Sequence, residues 1–133
     1  MKNNGLFCSL FIEDLKKDLT LDDAVLGRMA TLAHAWRNYN TSDEESLWES
    51  FVKPALSYLE FVPANKPVAP WVYPLYEDYG FSKCISVLYL VPPGQDIDDT
   101  AIGRFYPAKL LAHLYKGDLS WGILTDGYHW RLY

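Results

Sequence analysis

Metal binding is the first chemistry to test, since the sequence holds three histidines, two cysteines and a short run of aspartates. His34, His113 and His129 stand far from one another and from Cys8 and Cys84, whereas structural and catalytic metal sites draw on short ligand spacings. Isolated histidines of this kind read as structural side chains, and the two cysteines as buried, reduced thiols. Asp96, Asp98 and Asp99 lack the glycine and the distant glutamate of a calcium loop, so they read as a solvated loop. Covalent catalysis fares no better: Ser42 and Ser46 sit at a helix start, while Ser82, Ser86 and Ser120 lack a glycine elbow. Gly94 and Gly103 are single glycines, not a phosphate-cradling turn. Two aromatic groups, Trp71-Val72-Tyr73 and Phe105-Tyr106, with Trp130 and Tyr133, have the ring faces to stack on nucleic-acid bases. Only Arg104 and Arg131 are interleaved with them, so core packing and strand pairing account for these rings better. No complete catalytic constellation emerges, and neither a catalytic nor a metal-ligating residue is assigned.

The elements around these residues follow from periodicity. Leu6, Phe7, Leu10, Phe11 and Leu15 recur at helical spacing. Thr20 and Asp23 then resemble a capping box before a second stripe of Val25, Met29, Leu32 and Trp36, which ends at Asn38, Asn40 and Thr41. Ser42 and Glu45 form a clearer box for a third helix, with Leu47, Trp48, Phe51, Val52, Ala55 and Leu59 as its stripe. Pro54 falls inside that helix and is expected to kink or shorten it. Between Phe61 and Pro74 four prolines confine strands to short or edge pieces, and the strand register from Phe61 to Lys83 is not fixed by pattern. Cys84 to Val91 is the opposite case, a nearly continuous β-branched and aromatic run that reads as a central strand covered on both faces. A polar loop leads to Pro107 and to a helix carrying Leu110, Leu111, Leu114 and Tyr115, stopped by Gly117. Asp126-Gly127 predicts a two-residue type I′ hairpin turn. Counting outward sets Thr125 opposite Tyr128, Ile123 opposite Trp130 and Trp121 opposite Leu132, with that apolar face on the core.

Length and composition agree with a packed domain. At 133 residues, half of them apolar and 16% aromatic, one core removes roughly two thirds of the unfolded chain's surface from water. The expectation is a single α+β domain over residues 1–133, mainly helical through 60, with sheet, one helix and a C-terminal hairpin over 61–133. No apolar run is long enough for a transmembrane helix. Glu13 and Asp14 follow Leu6 to Ile12 directly, with no cleavage site, against a signal peptide; a soluble cytoplasmic protein with no membrane partner is expected. The net charge of −5 argues against a surface whose main task is neutralising phosphates. The last strand runs to Tyr133 without a polar tail, which suggests a piece of a longer protein.

A family resemblance enters through the last thirteen residues. Trp121-Gly122-Ile123-Leu124-Thr125-Asp126-Gly127-Tyr128-His129-Trp130-Arg131-Leu132-Tyr133 resembles a stretch carried by the N-terminal nuclease-like domain of type IIG-like restriction endonuclease/DNA adenine methyltransferase proteins. Gly5-Leu6-Phe7 is similar to the family's start, Leu47 to Leu59 (with Glu49 and Phe51) to its first nuclease helix, and Pro92-Pro93-Gly94 to Asp98 to the loop after its central strand. The resemblance implies a restriction-endonuclease-like core with a mixed sheet. It also implies an aspartate at the start of one strand and a Glu-x-Lys pair on the next, holding magnesium to activate water. Here Pro70-Trp71 stands for Pro-Asp and Tyr89-Leu90-Val91 for Glu-x-Lys. The implied site is therefore a degenerate cleft of Glu49, Trp71, Tyr89, Val91 and Lys109, with Glu77 and Asp78 as the nearby carboxylates. Magnesium is expected only if the nuclease is active, which would need Glu77 or Asp78 in a cleft with Lys83 or Lys109. Val91-Pro92-Pro93-Gly94 lacks the Asn-Pro-Pro-aromatic pattern of the adenine site, so S-adenosylmethionine belongs to a downstream methyltransferase domain of the same polypeptide, the implied partner, with DNA reached through the whole protein. The other reading is a small protein-interaction module unrelated to DNA, favoured by the acidic balance and the many Trp and Tyr residues.

Overall fold

The computed structural model describes residues 23–38 and 43–133; the helix expected around Leu6 to Leu15, Thr20, Cys8 and Ser42 lie outside them. In chain order the elements are helix α1 (Asp23–Asn38), helix α2 (Glu44–Leu47), a π-helical turn (Trp48–Val52), helix α3 (Lys53–Tyr58), strands β1 (Val62–Pro63), β2 (Val72–Tyr76) and β3 (Cys84–Leu90), helix α4 (Tyr106–Gly117), and strands β4 (Gly122–Thr125) and β5 (Trp130–Leu132). The strands form one sheet in the order β1-β2-β3-β4-β5. Neighbours are antiparallel except β3 and β4, which are parallel; a parallel pair needs a long crossover, and α4 supplies it. The fold is thus α+β with a mixed sheet. The chain divides into two compact units, Met1–Thr31 and Leu32–Tyr133. Of the first, residues 23–31 are the start of α1, where Leu26 and Met29 are exposed. The sheet and everything described below belong to the second.

Strand β3 explains why its sequence is apolar throughout. Leu88 and Leu90 enter one cluster with Leu47, Trp48, Phe51, Val52 and Leu56 from the segment 44–58. Val87, Tyr89 and Val91 enter another with Tyr106, Leu110 and Leu114 of α4. Alternate residues of a strand face opposite sides, so a strand with helices on both faces needs an apolar residue at nearly every position. On the α4 side Gly122 is required by close approach: a Cβ there would lie 2.9 Å from Leu110 Cδ1 and 3.1 Å from the Val87 carbonyl oxygen.

Several details differ from expectation. The N-cap of α2 is Asp43, not Ser42: its carboxylate accepts the Ser46 N–H at 2.8 Å. Pro54 is absorbed by the π-helical turn just before it, where the Lys53 N–H reaches the Trp48 carbonyl. An extra residue in the turn is a known way to relieve a helix of local steric conflict. Leu59, placed in the apolar stripe, is 59% exposed, and Leu56 is buried instead. The helix has already ended there, in a Schellman closure in which Glu60 takes φ 67° and the Phe61 N–H reaches the Leu56 carbonyl. Helix α4 was expected to stop at Gly117; it runs through that residue and is capped by Asp118, which takes the left-handed conformation.

The proline-rich stretch gives a two-residue edge strand, β1, but Pro74 lies inside β2, between β1 and β3. The register makes this tolerable. The Leu90 N–H reaches the Trp71 carbonyl, so pairs 71/90 and 73/88 exchange hydrogen bonds and position 74 turns its missing N–H away from β3, towards the end of β1. The hairpin of β4 and β5 forms, but two residues out of the expected register: Ile123 faces Leu132 and Thr125 faces Trp130. Of Asp126 and Gly127 only the glycine has positive φ, which excludes a type I′ turn. Four residues make the loop, because Asp126 accepts the N–H groups of Tyr128 and His129, and Thr125 Oγ1 accepts the Gly127 N–H and donates to the His129 carbonyl. The expected burial of this face holds only for β4: Ile123 is buried, whereas Leu132 is 73% exposed and Trp130 is partly so.

Candidate functional site

The segment Trp71 to Tyr73 is pinned by one carboxylate. Glu44 Oε1, at the start of α2, accepts the Trp71 backbone N–H and the Tyr73 hydroxyl, each at 2.9 Å. Tyr73 in turn lies flat on the indole of Trp48, with ring centroids 3.6 Å apart and planes inclined by 14°. This stacked pair, with Glu44, Glu45, Glu49 and the β1–β2 loop residues Asn65, Lys66 and Pro67, lines a cavity of about 290 Å³. Burial, then the Glu44 hydrogen bond, then the charges of Glu44, Glu49 and Glu45 hold the Tyr73 phenol well above its ordinary value. Three carboxylates and two aromatic rings thus line the cavity, together with Lys66, and Lys53 is paired with Glu49. Trp48 Nε1 itself is buried out of reach of solvent and has no hydrogen-bond acceptor, a costly state for an indole N–H.

Trp71 occupies the third position of the turn 69–72, which is closed by the Val72 N–H on the Ala69 carbonyl. Pro70 before it and φ 68° at Trp71 fit a type II turn, whose third position favours glycine. A second turn obeys that preference: Pro92-Pro93-Gly94-Gln95 is closed in the same way, with Gly94 at φ 79°. The ring at position 71 offsets the strain through packing, since it touches both apolar clusters.

The residues implied by the family resemblance are partly brought together. Trp71 precedes β2 and lies opposite Leu90, and Tyr89 pairs with Val72, so the two implied segments are neighbours in the sheet. Tyr89 and Val91 are buried in the cluster on the α4 side. Tyr89 lies 5.9 Å from the Tyr106 ring, and Lys109 sits over that same ring at 5.2 Å. Glu49 is elsewhere, on the opposite face of the sheet, where it lines the cavity beside Trp48 and forms an ion pair with Lys53. Glu77 and Asp78 occupy the β2–β3 turn, at the end of the strands remote from Tyr89. Glu77 is paired with Lys83 at 3.4 Å. Asp78 accepts the Ser82 hydroxyl and the Gly80 N–H, hydrogen bonds that lower its pKa.

The remaining candidates are occupied by local structure. Asp96 and Asp99 accept loop N–H groups, Asp99 pairs with Arg104 at 3.0 Å, and Asp98 pairs with Arg131 at 2.5 Å, which holds its carboxyl below the usual value. His129 pairs with Asp126, and His113 borders Tyr89. Among the described residues no group of three or more His, Cys, Asp or Glu side chains comes together to hold a metal, the glutamates of the cavity included. Sequence reasoning missed the cavity itself. Glu44 and Glu45 look like the ordinary acidic first turn of a helix, and only the contact with Tyr73, 29 residues away, gives them another meaning.

Comparison with protein-family models, with curated proteins and with solved structures found no match for this chain. No helix among the described residues is long and apolar enough to cross a membrane.

Proposed function

We propose that this chain is a nuclease-like, catalytically inactive domain of a cytoplasmic DNA restriction-modification or phage-defence enzyme, with a structural or DNA-positioning role. The observation that carries the reading is the placement of Trp71 next to Leu90, with Tyr89 and Val91 on either side of it. These are the positions where the family pattern implies an aspartate and a Glu-x-Lys pair, and here they are filled by side chains packed into apolar clusters. None of the three offers a hard oxygen anion or a cation to polarise water. Support also comes from the element order: helices, three antiparallel strands, a crossover helix and a parallel strand agree with the restriction-endonuclease-like core. On this reading methylation, with S-adenosylmethionine as cofactor, resides in a downstream domain of the same polypeptide, through which DNA is reached.

Supercoiled plasmid incubated with the chain and Mg²⁺ or Mn²⁺ is expected to stay supercoiled; nicking or linearisation would overturn the inactivity. Reading the coding sequence past Tyr133 tests the parent enzyme. A frame that continues into a glycine-rich cofactor motif and an Asn-Pro-Pro-aromatic motif supports it, and a stop codon transfers the weight to the second reading. That reading, a protein-interaction module, is favoured by the exposure of Tyr128, Trp130 and Leu132 around the last strand.

A further inference from the structure

We propose that the turn from Ala69 to Val72 is a conformational switch: the Glu44 carboxylate holds it as a type II turn, and withdrawal of that carboxylate flips the peptide between Pro70 and Trp71 to give a type I turn. The inference does not depend on the nuclease-like reading.

The residue types of the turn favour the other state. Type I and type II turns differ chiefly in the orientation of the peptide between their second and third residues, here Pro70 and Trp71. Proline at the second position suits both, but a type II turn asks its third residue for positive φ, which glycine accepts and a bulky L-residue resists. Trp71 nevertheless stands at φ 68°. In the turn Pro92-Pro93-Gly94-Gln95 a glycine meets the same demand; at Trp71 another group has to.

Glu44 acts on the one peptide that tells the two states apart. Its Oε1 accepts the Trp71 N–H at 2.9 Å, a charge-assisted bond. A flip turns that N–H away and aims the Pro70 carbonyl oxygen at the carboxylate, which replaces attraction by repulsion. Packing of the indole separates the states less sharply, because a rigid peptide turns about the line joining its two Cα atoms and moves the Trp71 Cβ only a short way.

The surrounding hydrogen bonds let the flip stay local. They run from the Val72 N–H to the Ala69 carbonyl at 3.0 Å, from the Val68 N–H to the Val72 carbonyl at 2.9 Å and from the Leu90 N–H to the Trp71 carbonyl at 2.7 Å. None of them uses a polar group of the peptide between Pro70 and Trp71, so the turn can change type while β2 and β3 stay paired. Glu44 lies in the first turn of α2 and Trp71 just before β2. A shift of α2 is thereby converted into the reversal of one peptide and a new direction for the indole lodged between the two apolar clusters.

The test is NMR of the full chain. A type II turn brings the Pro70 Hα close to the Trp71 amide proton and a type I turn separates them, so a strong cross-relaxation peak between the two is expected in the wild-type protein. It is expected to survive in Glu44→Gln, whose amide oxygen accepts the same N–H. In Glu44→Ala it is expected to be lost, the removal of one charged hydrogen bond shifting the equilibrium by about tenfold or more, while the Val72 and Leu90 amides stay protected from exchange. In the wild-type chain the Trp71 amide is expected to exchange at least about tenfold faster than those of Val72 and Leu90, corrected for intrinsic rates, through the flipped minor state. Absence of the strong peak from the wild-type spectrum, its persistence in Glu44→Ala, or exchange at Trp71 no faster than at Val72 and Leu90 would each overturn the proposal. The exchange comparison decides alone if Glu44→Ala fails to fold.

Discussion

At the scale of single residues, Glu44 is the group on which most depends. One of its oxygens satisfies both a backbone N–H and a phenol across 27 and 29 residues of sequence. Removing an acceptor strands its donors, which costs more than the bond itself is worth. Glu44→Ala is therefore expected to lower the unfolding free energy by about 2–3 kcal/mol, and Tyr73→Phe, which deletes one donor, by about 1 kcal/mol. Urea denaturation with an unchanged slope is the check. The same residues make the protein sensitive to alkali. Tyr73, Tyr89 and Tyr106 all have phenols raised above 10.0, each chiefly by burial. A folded-state pKa above the unfolded one means that the folded form holds its proton more tightly. The stability this contributes is complete below pH 10 and is lost as pH rises towards the folded values. Absorbance titration near 295 nm is expected to leave these three phenols un-ionised while exposed tyrosines titrate, then to release them together as the chain unfolds.

At the scale of elements, helix ends show how far local pattern can be read. The stop of α4 was legible, but the residue that makes it was not, because Gly117 and Asp118 are adjacent and both are compatible with a cap. Asp118 holds φ 52°, a conformation that costs an L-residue about 1 kcal/mol relative to glycine. Asp118→Gly is accordingly expected to raise stability by about 1 kcal/mol, read as an increase in Tm of about 4 °C. The last hairpin teaches the same lesson. Its two strands were evident from alternation, yet its register was set by hydrogen bonds of the Thr125 hydroxyl and the Asp126 carboxylate, which make a four-residue loop where residue types alone favour two. The cleft residues divide similarly. Trp71, Tyr89 and Val91 meet because antiparallel pairing of β2 and β3 brings them together, whereas Glu49 is carried to the other face by the π-helical turn.

At the scale of the whole molecule, charge bears on what the chain can do without help. With 17 acidic against 12 basic side chains, the isolated chain is expected not to retard a DNA duplex at about 10 µM protein and physiological salt, conditions under which basic domains bind non-specifically. Retardation there, assayed by gel shift, would require a basic face that composition hides. The architecture of the second unit was legible in outline because β3 is apolar at nearly every position, which only a strand covered on both sides requires. The cavity was not legible, because it is built by contacts between α2 and a strand far along the chain. The parallel pairing of β3 with β4 has a last consequence, for the time course of folding. Strands β1 to β3 pair with near neighbours in sequence, but Ser86 meets Trp121 only across 35 residues, and closing that loop costs entropy before any strand bond rewards it. The β4 strand then joins late, so substitutions within it leave the refolding rate nearly unchanged and register in the rate of unfolding.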